Sequence, residues 1–167
     1  MLKRMIKVTA QILSVLLFVF VIGYDPFAKD TMDFYEDTKS IDLSAEKVKS
    51  ISIHSTENDV TAAFGKPNDV EEIANPKSKY LSYDEIEFGI AADKVIRYYF
   101  TKHYETAKGI KIGDTKEEVI KEYGQNYYER VEGGLNTVGY FDKENKINIE
   151  FGFRENKAAA VMVGKVG

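Results

Sequence analysis

Chemistry in this 167-residue chain has few side chains to work with. There are two histidines, His54 and His103, and no cysteine. The absence of cysteine excludes disulfides, thiolate nucleophiles, Cys-ligated zinc, iron–sulfur clusters and the acylated cysteine of a bacterial lipoprotein. Ser52 and Ser55 flank His54, the pairing a hydrolase would need, but no Gly-x-Ser-x-Gly elbow accompanies them. Neither histidine belongs to a His-x-x-x-His or His-Glu-x-x-His pair, so a zinc site has no frame. The acidic clusters Asp69-Glu71-Glu72 and Asp84-Glu85-Glu87 lack the alternating oxygen ligands and glycine of a calcium loop. The loop Asp142-Lys-Glu-Asn145 has alternating oxygens, but Lys143 and Lys146 intrude. The expectation is therefore a non-enzyme with no cofactor and no metal.

The aromatic residues carry more content. Eleven Tyr and ten Phe make up 13% of the chain. Within residues 95–104, strand alternation places Ile96, Tyr98 and Phe100 on one face and Val95, Arg97, Tyr99 and Thr101 on the other. Tyr and Arg dominate interface hot spots. Arg97 and Tyr99, with Tyr127 and Tyr128 after the second predicted helix, are the candidate partner-binding residues.

The elements that position these residues are written twice. Thr56, Asp59, Val60, Phe64 and Gly65 recur 59 positions later as Thr115, Glu118, Val119, Tyr123 and Gly124. Ile86-Glu-Phe-Gly-Ile90 recurs as Ile149-Glu-Phe-Gly-Phe153, 63 positions later. Each threonine is an N-cap, and the acid three residues on closes a capping box. The apolar residues four apart share one helix face, and each glycine is placed for a left-handed C-cap. Two helices of two to three turns follow, starting near 57 and 116. Three strands follow each: 79–83, 85–90 and 95–104, then 137–141, 147–153 and 158–166. The fold class is α+β, two helix-plus-antiparallel-meander repeats with helices on one face of the sheet.

The N-terminus reads differently. Lys3, Arg4 and Lys7 precede a charge-free run over 8–24, and 17 helical residues span about 26 Å, close to the hydrocarbon core of a bilayer. All 27 acidic residues and 20 of the 23 basic ones lie beyond Tyr24, so that part carries −7. Basic residues before an apolar run hold that end in the cytoplasm and export the remainder. Both a retained anchor and a cleaved signal peptide fit, since sites after Ala28 or Gly23 are imperfect. The acidic remainder, lacking a basic stripe, argues against nucleic acid. The division is a signal-anchor or transmembrane segment over 1–28, a tether over 29–45, a first repeat over 46–108 and a second over 109–167.

The capped-helix unit followed by a meander resembles the β-lactamase-inhibitor-protein-like fold, shared with the SmpA/OmlA outer-membrane lipoproteins and many small exported bacterial proteins. The resemblance covers about 45–167. His54 stands where that family has glycine, Asn126 replaces its second proline, and the lipobox cysteine is missing. The resemblance implies a protein-binding concave sheet rather than catalysis. The expected function is a membrane-tethered, extracytoplasmic binding module of the bacterial cell envelope, whose partner is another envelope protein. The alternatives are an inhibitor of an extracellular enzyme and, more remotely, a hydrolase with an unread site.

Overall fold

The computed structural model describes residues 29–166. The run over 8–24 lies outside them, and so do the anchor and the cleavage sites. Among the described residues no helix is long and apolar enough to cross a membrane.

Two eight-residue helices start where the capping boxes place them. Helix α1 spans Glu57–Phe64 and α2 spans Lys116–Tyr123. Thr56 Oγ1 accepts from Asp59 N at 3.1 Å while Asp59 Oδ2 accepts from Thr56 N at 2.7 Å. Thr115 and Glu118 reproduce the exchange at 3.2 and 2.7 Å. These hydrogen bonds hold both capping carboxyls below their usual range. The helices end on Gly65 (φ 81°, ψ −158°) and Gly124 (φ 95°, ψ −175°). That is a glycine-only region rather than the expected left-handed cap, because the chain leaves each helix extended.

Four strands follow each helix, where the sequence predicts three. They are β1 (Asp69–Ala74), β2 (Lys77–Ser82), β3 (Ile86–Ala91) and β4 (Lys94–Phe100), then β5 (Tyr128–Glu132), β6 (Leu135–Asp142), β7 (Ile147–Arg154) and β8 (Lys157–Lys165). The additional strands, β1 and β5, are the two edges of one eight-stranded antiparallel sheet of order β1-β2-β3-β4-β8-β7-β6-β5. An edge strand need bury little, so Asp-Val-Glu-Glu-Ile-Ala carries no apolar alternation to read. The α+β class and antiparallel pairing are as expected.

The halves make matching contacts at matching positions. Lys49 Nζ lies 4.2 Å from the Phe64 ring centre and donates to Ala63 O at 3.5 Å. Lys108 Nζ lies 4.7 Å from the Tyr123 ring centre and donates to Glu122 O at 3.1 Å. His54 N donates to Val95 O at 2.9 Å, and Gly113 N donates to Ala158 O at 2.8 Å. His54 takes φ 76°, as Gly113, which makes the matching contact, takes φ 97°.

Val60, Val119 and Tyr123 pack on Phe88, Tyr98, Tyr140 and Phe151 to form the main core on the helix side. A smaller cluster of Tyr128, Phe141 and Val166 lies apart from it, covered by Phe34 and Tyr35. The stretch 29–45, expected as a tether, is thus seated on the sheet. Ile41 N donates to Phe141 O at 2.8 Å, and Leu43 N donates to Asp142 Oδ2 at 2.8 Å.

Candidate binding face

The strand face turned away from the helices is built from alternate residues of every strand. Its two ends differ. At the second-half end Glu150 of β7 is 4% exposed and gathers donors from β5. Arg130 gives Nε to Oε1 at 2.8 Å and Nη2 to Oε2 at 2.9 Å. The Tyr128 hydroxyl donates to Oε1 at 2.6 Å. Burial, then the Glu150 charge and this hydrogen bond, pushes the Tyr128 phenol well above its usual range, so it remains a donor. The bond to Glu150 outweighs burial at Arg130 and keeps the guanidinium charged. The Tyr128 ring lies flat over Gly139, its register partner, where a Cβ would sit 2.2 Å from the ring.

At the first-half end Glu87 of β3 is the counterpart of Glu150 in the Ile-Glu-Phe-Gly block. Arg97 Nη2 of β4 donates to Glu87 Oε1 at 3.2 Å, and these side chains are 39% and 36% exposed. The Arg97 guanidinium lies 4.9 Å from the centre of the Tyr80 ring. Tyr99, 38% exposed, continues the patch in register with Glu87 and Met162. A groove of about 570 Å³ between the two ends runs past Ile96, Arg97, Met162 and Gly164 to Met32.

The structure divides the four candidate residues. Arg97 and Tyr99 share the open patch. Tyr128 is 5% exposed beneath Phe34, whose ring stacks on it at 5.0 Å. Tyr127 is half-buried on the helix side, 6.1 Å from the Tyr140 ring. The two rings pack into different clusters on opposite sides of the sheet, so the pair cannot serve one surface. Val95 and Ile96 also exchange faces relative to expectation. A bulge at Gly89/Ile90 pairs Ile90 with Val95, which puts Val95 in the main core and Ile96 in the groove. Sequence reasoning missed Tyr80 and Glu87. The signal for Glu87 was present, since a glutamate between two core residues recurs in both halves.

The residues weighed for catalysis are scattered. The His54 side chain is exposed. His103 Nε2 lies 3.3 Å from Glu85 Oε1 on an exposed loop. Ser52 Oγ faces Ser55 Oγ at 3.5 Å rather than a histidine. Among the described residues there is no group of three or more Asp, Glu or His placed to hold a metal ion.

No family model matches the chain, and no curated protein matches it. Solved structures do. An extracellular protein containing an SCP domain from Bacillus anthracis is 14% identical, with a TM-score of 0.47, over 87% of this chain and 50% of that one. A cysteine-rich secretory protein from Staphylococcus aureus is 13% identical, with a TM-score of 0.43, over 68% of this chain and 44% of that one. A DUF4309 family protein from Bacillus subtilis is 18% identical, with a TM-score of 0.43, over 70% of this chain and 83% of that one. The chain spans about half the length of the first two.

Proposed function

We propose that this chain is a non-catalytic binding module of the bacterial cell envelope, tethered through residues 8–24, that holds another envelope protein on the sheet face opposite the helices. The observation that carries the reading is the open Tyr80–Arg97–Tyr99 patch on a rigid central sheet. An arginine stacked on one tyrosine beside a second, exposed tyrosine is the composition of an interface anchor. The matching contacts of the two halves support an internal duplication, as in the β-lactamase-inhibitor-protein-like fold. The basic–apolar–acidic order of the N-terminus supports export and anchoring.

The test is a photo-crosslink from cells. A benzophenone side chain replaces Tyr99 in the full chain, with and without Arg97→Ala. One discrete crosslinked protein, lost with Arg97→Ala, is expected. No crosslink, or one indifferent to Arg97, removes the face. A crosslinked secreted hydrolase that the chain inhibits would establish the inhibitor reading instead. Retention of the full-length chain in membranes after an alkaline carbonate wash is expected, and a shortened soluble form would defeat the tether.

A further inference from the structure

The second-half end of the same face already has an occupant, the chain's own residues 30–38. A single 3-10 turn, Met32–Phe34, presents Phe34 and Tyr35 together. Phe34 stacks on Tyr128 at 5.0 Å and 16°, and Tyr35 meets Phe141 edge-on at 5.2 Å. The strap forms no strand with the sheet. Most of its hydrogen bonds close on itself: Phe34 N to Thr31 O, Tyr35 N to Met32 O, and Thr38 N to Phe34 O. Two cross to the body, Thr31 Oγ1 to Glu150 Oε1 at 3.2 Å and Lys143 Nζ to Glu36 O at 3.1 Å.

The polar groups beneath are paired without the strap. Glu150 is satisfied by Arg130 and Tyr128 from β5, and the Tyr128 ring is fixed from below by Gly139. Phe141 also stacks with Tyr128, at 4.9 Å and 20°. A preformed aromatic platform held by its own charges keeps its shape when its cover leaves.

We propose that this platform is a docking site for a partner segment that presents two adjacent aromatic side chains on one turn, and that residues 30–38 occupy it in competition with that segment. The inference rests on the binding-module reading and names the kind of partner segment that reading lacks. Aromatic stacking and two hydrogen bonds give shape selectivity while leaving the strap exchangeable, whereas a strand paired along its length would not be.

The probe is a fluorescein-labelled peptide of residues 30–39, added to the full-length chain in detergent and read by anisotropy. Phe34→Ala/Tyr35→Ala, which empties the platform, should bind it at least tenfold more tightly than the unaltered chain. A peptide with both aromatics replaced by alanine should not bind. Equal affinity for the two chains, or no binding to a folded double variant, overturns the proposal. If the double variant fails to fold, hydrogen exchange on the unaltered chain decides. Amides of 34–38 should exchange at least a hundredfold faster than those of β6 and β7, and exchange in step with the sheet overturns it. A dimer formed by trading straps between copies would assign the platform to a second copy and overturn it too. The Tyr99 crosslink reads the other end of the face, so its outcome is separable.

Discussion

Glu87 and Glu150 occupy the same place in the same tetrapeptide, Ile-Glu-Phe-Gly, and have different fates. Each lies on an inner strand and points away from the helices. Glu87 is met by one arginine from its sheet neighbour and stays in contact with water. Glu150 is met by an arginine and a tyrosine from the edge strand and is then roofed by the strap. Burial of a charge thus follows from what the flanking strands deliver, not from the local sequence around it. An ion pair that water can reach contributes about 0–1 kcal/mol. Removing one partner from a buried pair costs about 3–5 kcal/mol because the other charge is stranded.

The largest effect should be at that pair. Glu150→Ala leaves Arg130, whose side chain is 8% exposed, without its main partner and should cost about 3–5 kcal/mol in urea unfolding. Glu87→Ala should cost less than about 1 kcal/mol. Similar losses at both sites would end the contrast between the two ends of the face.

Next come the glycines under the two tyrosines. A Cβ on Gly139 meets the Tyr128 ring at 2.2 Å, and that ring also stacks with Phe34 and Phe141. Gly139→Ala should cost about 1–3 kcal/mol or more by overpacking. At Gly89 the contact is 3.2 Å to a carbon of Tyr80, a half-buried ring with room to tilt. Gly89→Ala should cost less than half as much, as thermal melts of both variants would show.

How much of this was legible in the sequence depended on the range of the determinant. The helices start within a residue of expectation because Thr56/Asp59 and Thr115/Glu118 are local devices whose partners lie three residues apart. The inner strands were legible from Ile, Val and Phe alternation. β1 and β5 were not, because these edge strands are mostly exposed and carry no apolar alternation. Alternation puts Arg97 and Tyr99 on the outward strand face, where they are partly exposed, but it gives no sign that Tyr128 is buried. Its burial depends on Phe34, far away along the chain, and on Gly139, a strand partner that only register reveals. Ile96 and Val95 were reversed by one bulge, which shifts alternation without a sequence signal beyond the nearby Gly89.

The helix caps should erase the difference between halves. Thr56→Ala and Thr115→Ala each remove an acceptor for an N3 amide in the same geometry and should each cost about 1 kcal/mol. Equal losses would sharpen the contrast between halves that differ on the outer face and agree on the helix side. A gap well beyond 1 kcal/mol would show divergence there too.

The smallest expected effect is a slope rather than an offset, at a second divergent pair, Glu46 and Glu105, also 59 positions apart. Glu105 is exposed beside Lys111 at 3.6 Å. Glu46 is 3% exposed, and its carboxylate accepts from the Tyr123 hydroxyl at 2.6 Å and from Ala107 N at 3.3 Å. Burial raises the Glu46 carboxyl above its ordinary value, and the two hydrogen bonds only partly oppose it. Between the unfolded value near 4.5 and that raised value the native state holds the extra proton, so stability falls as pH rises through the window. The caps act oppositely. Their carboxyls are depressed, so their contribution is present above the ordinary carboxylate range and is lost as pH falls through their folded values. Glu46→Gln keeps the side chain's shape and should abolish the decline above about pH 4.5 while leaving the acid-side loss intact. Urea midpoints at half-unit steps from pH 4 to 8, with Glu105→Gln as the exposed control, would test it. An unchanged slope in Glu46→Gln would mean that the native fold tolerates this charge as readily as the unfolded chain does, and the two glutamates would then differ in position only.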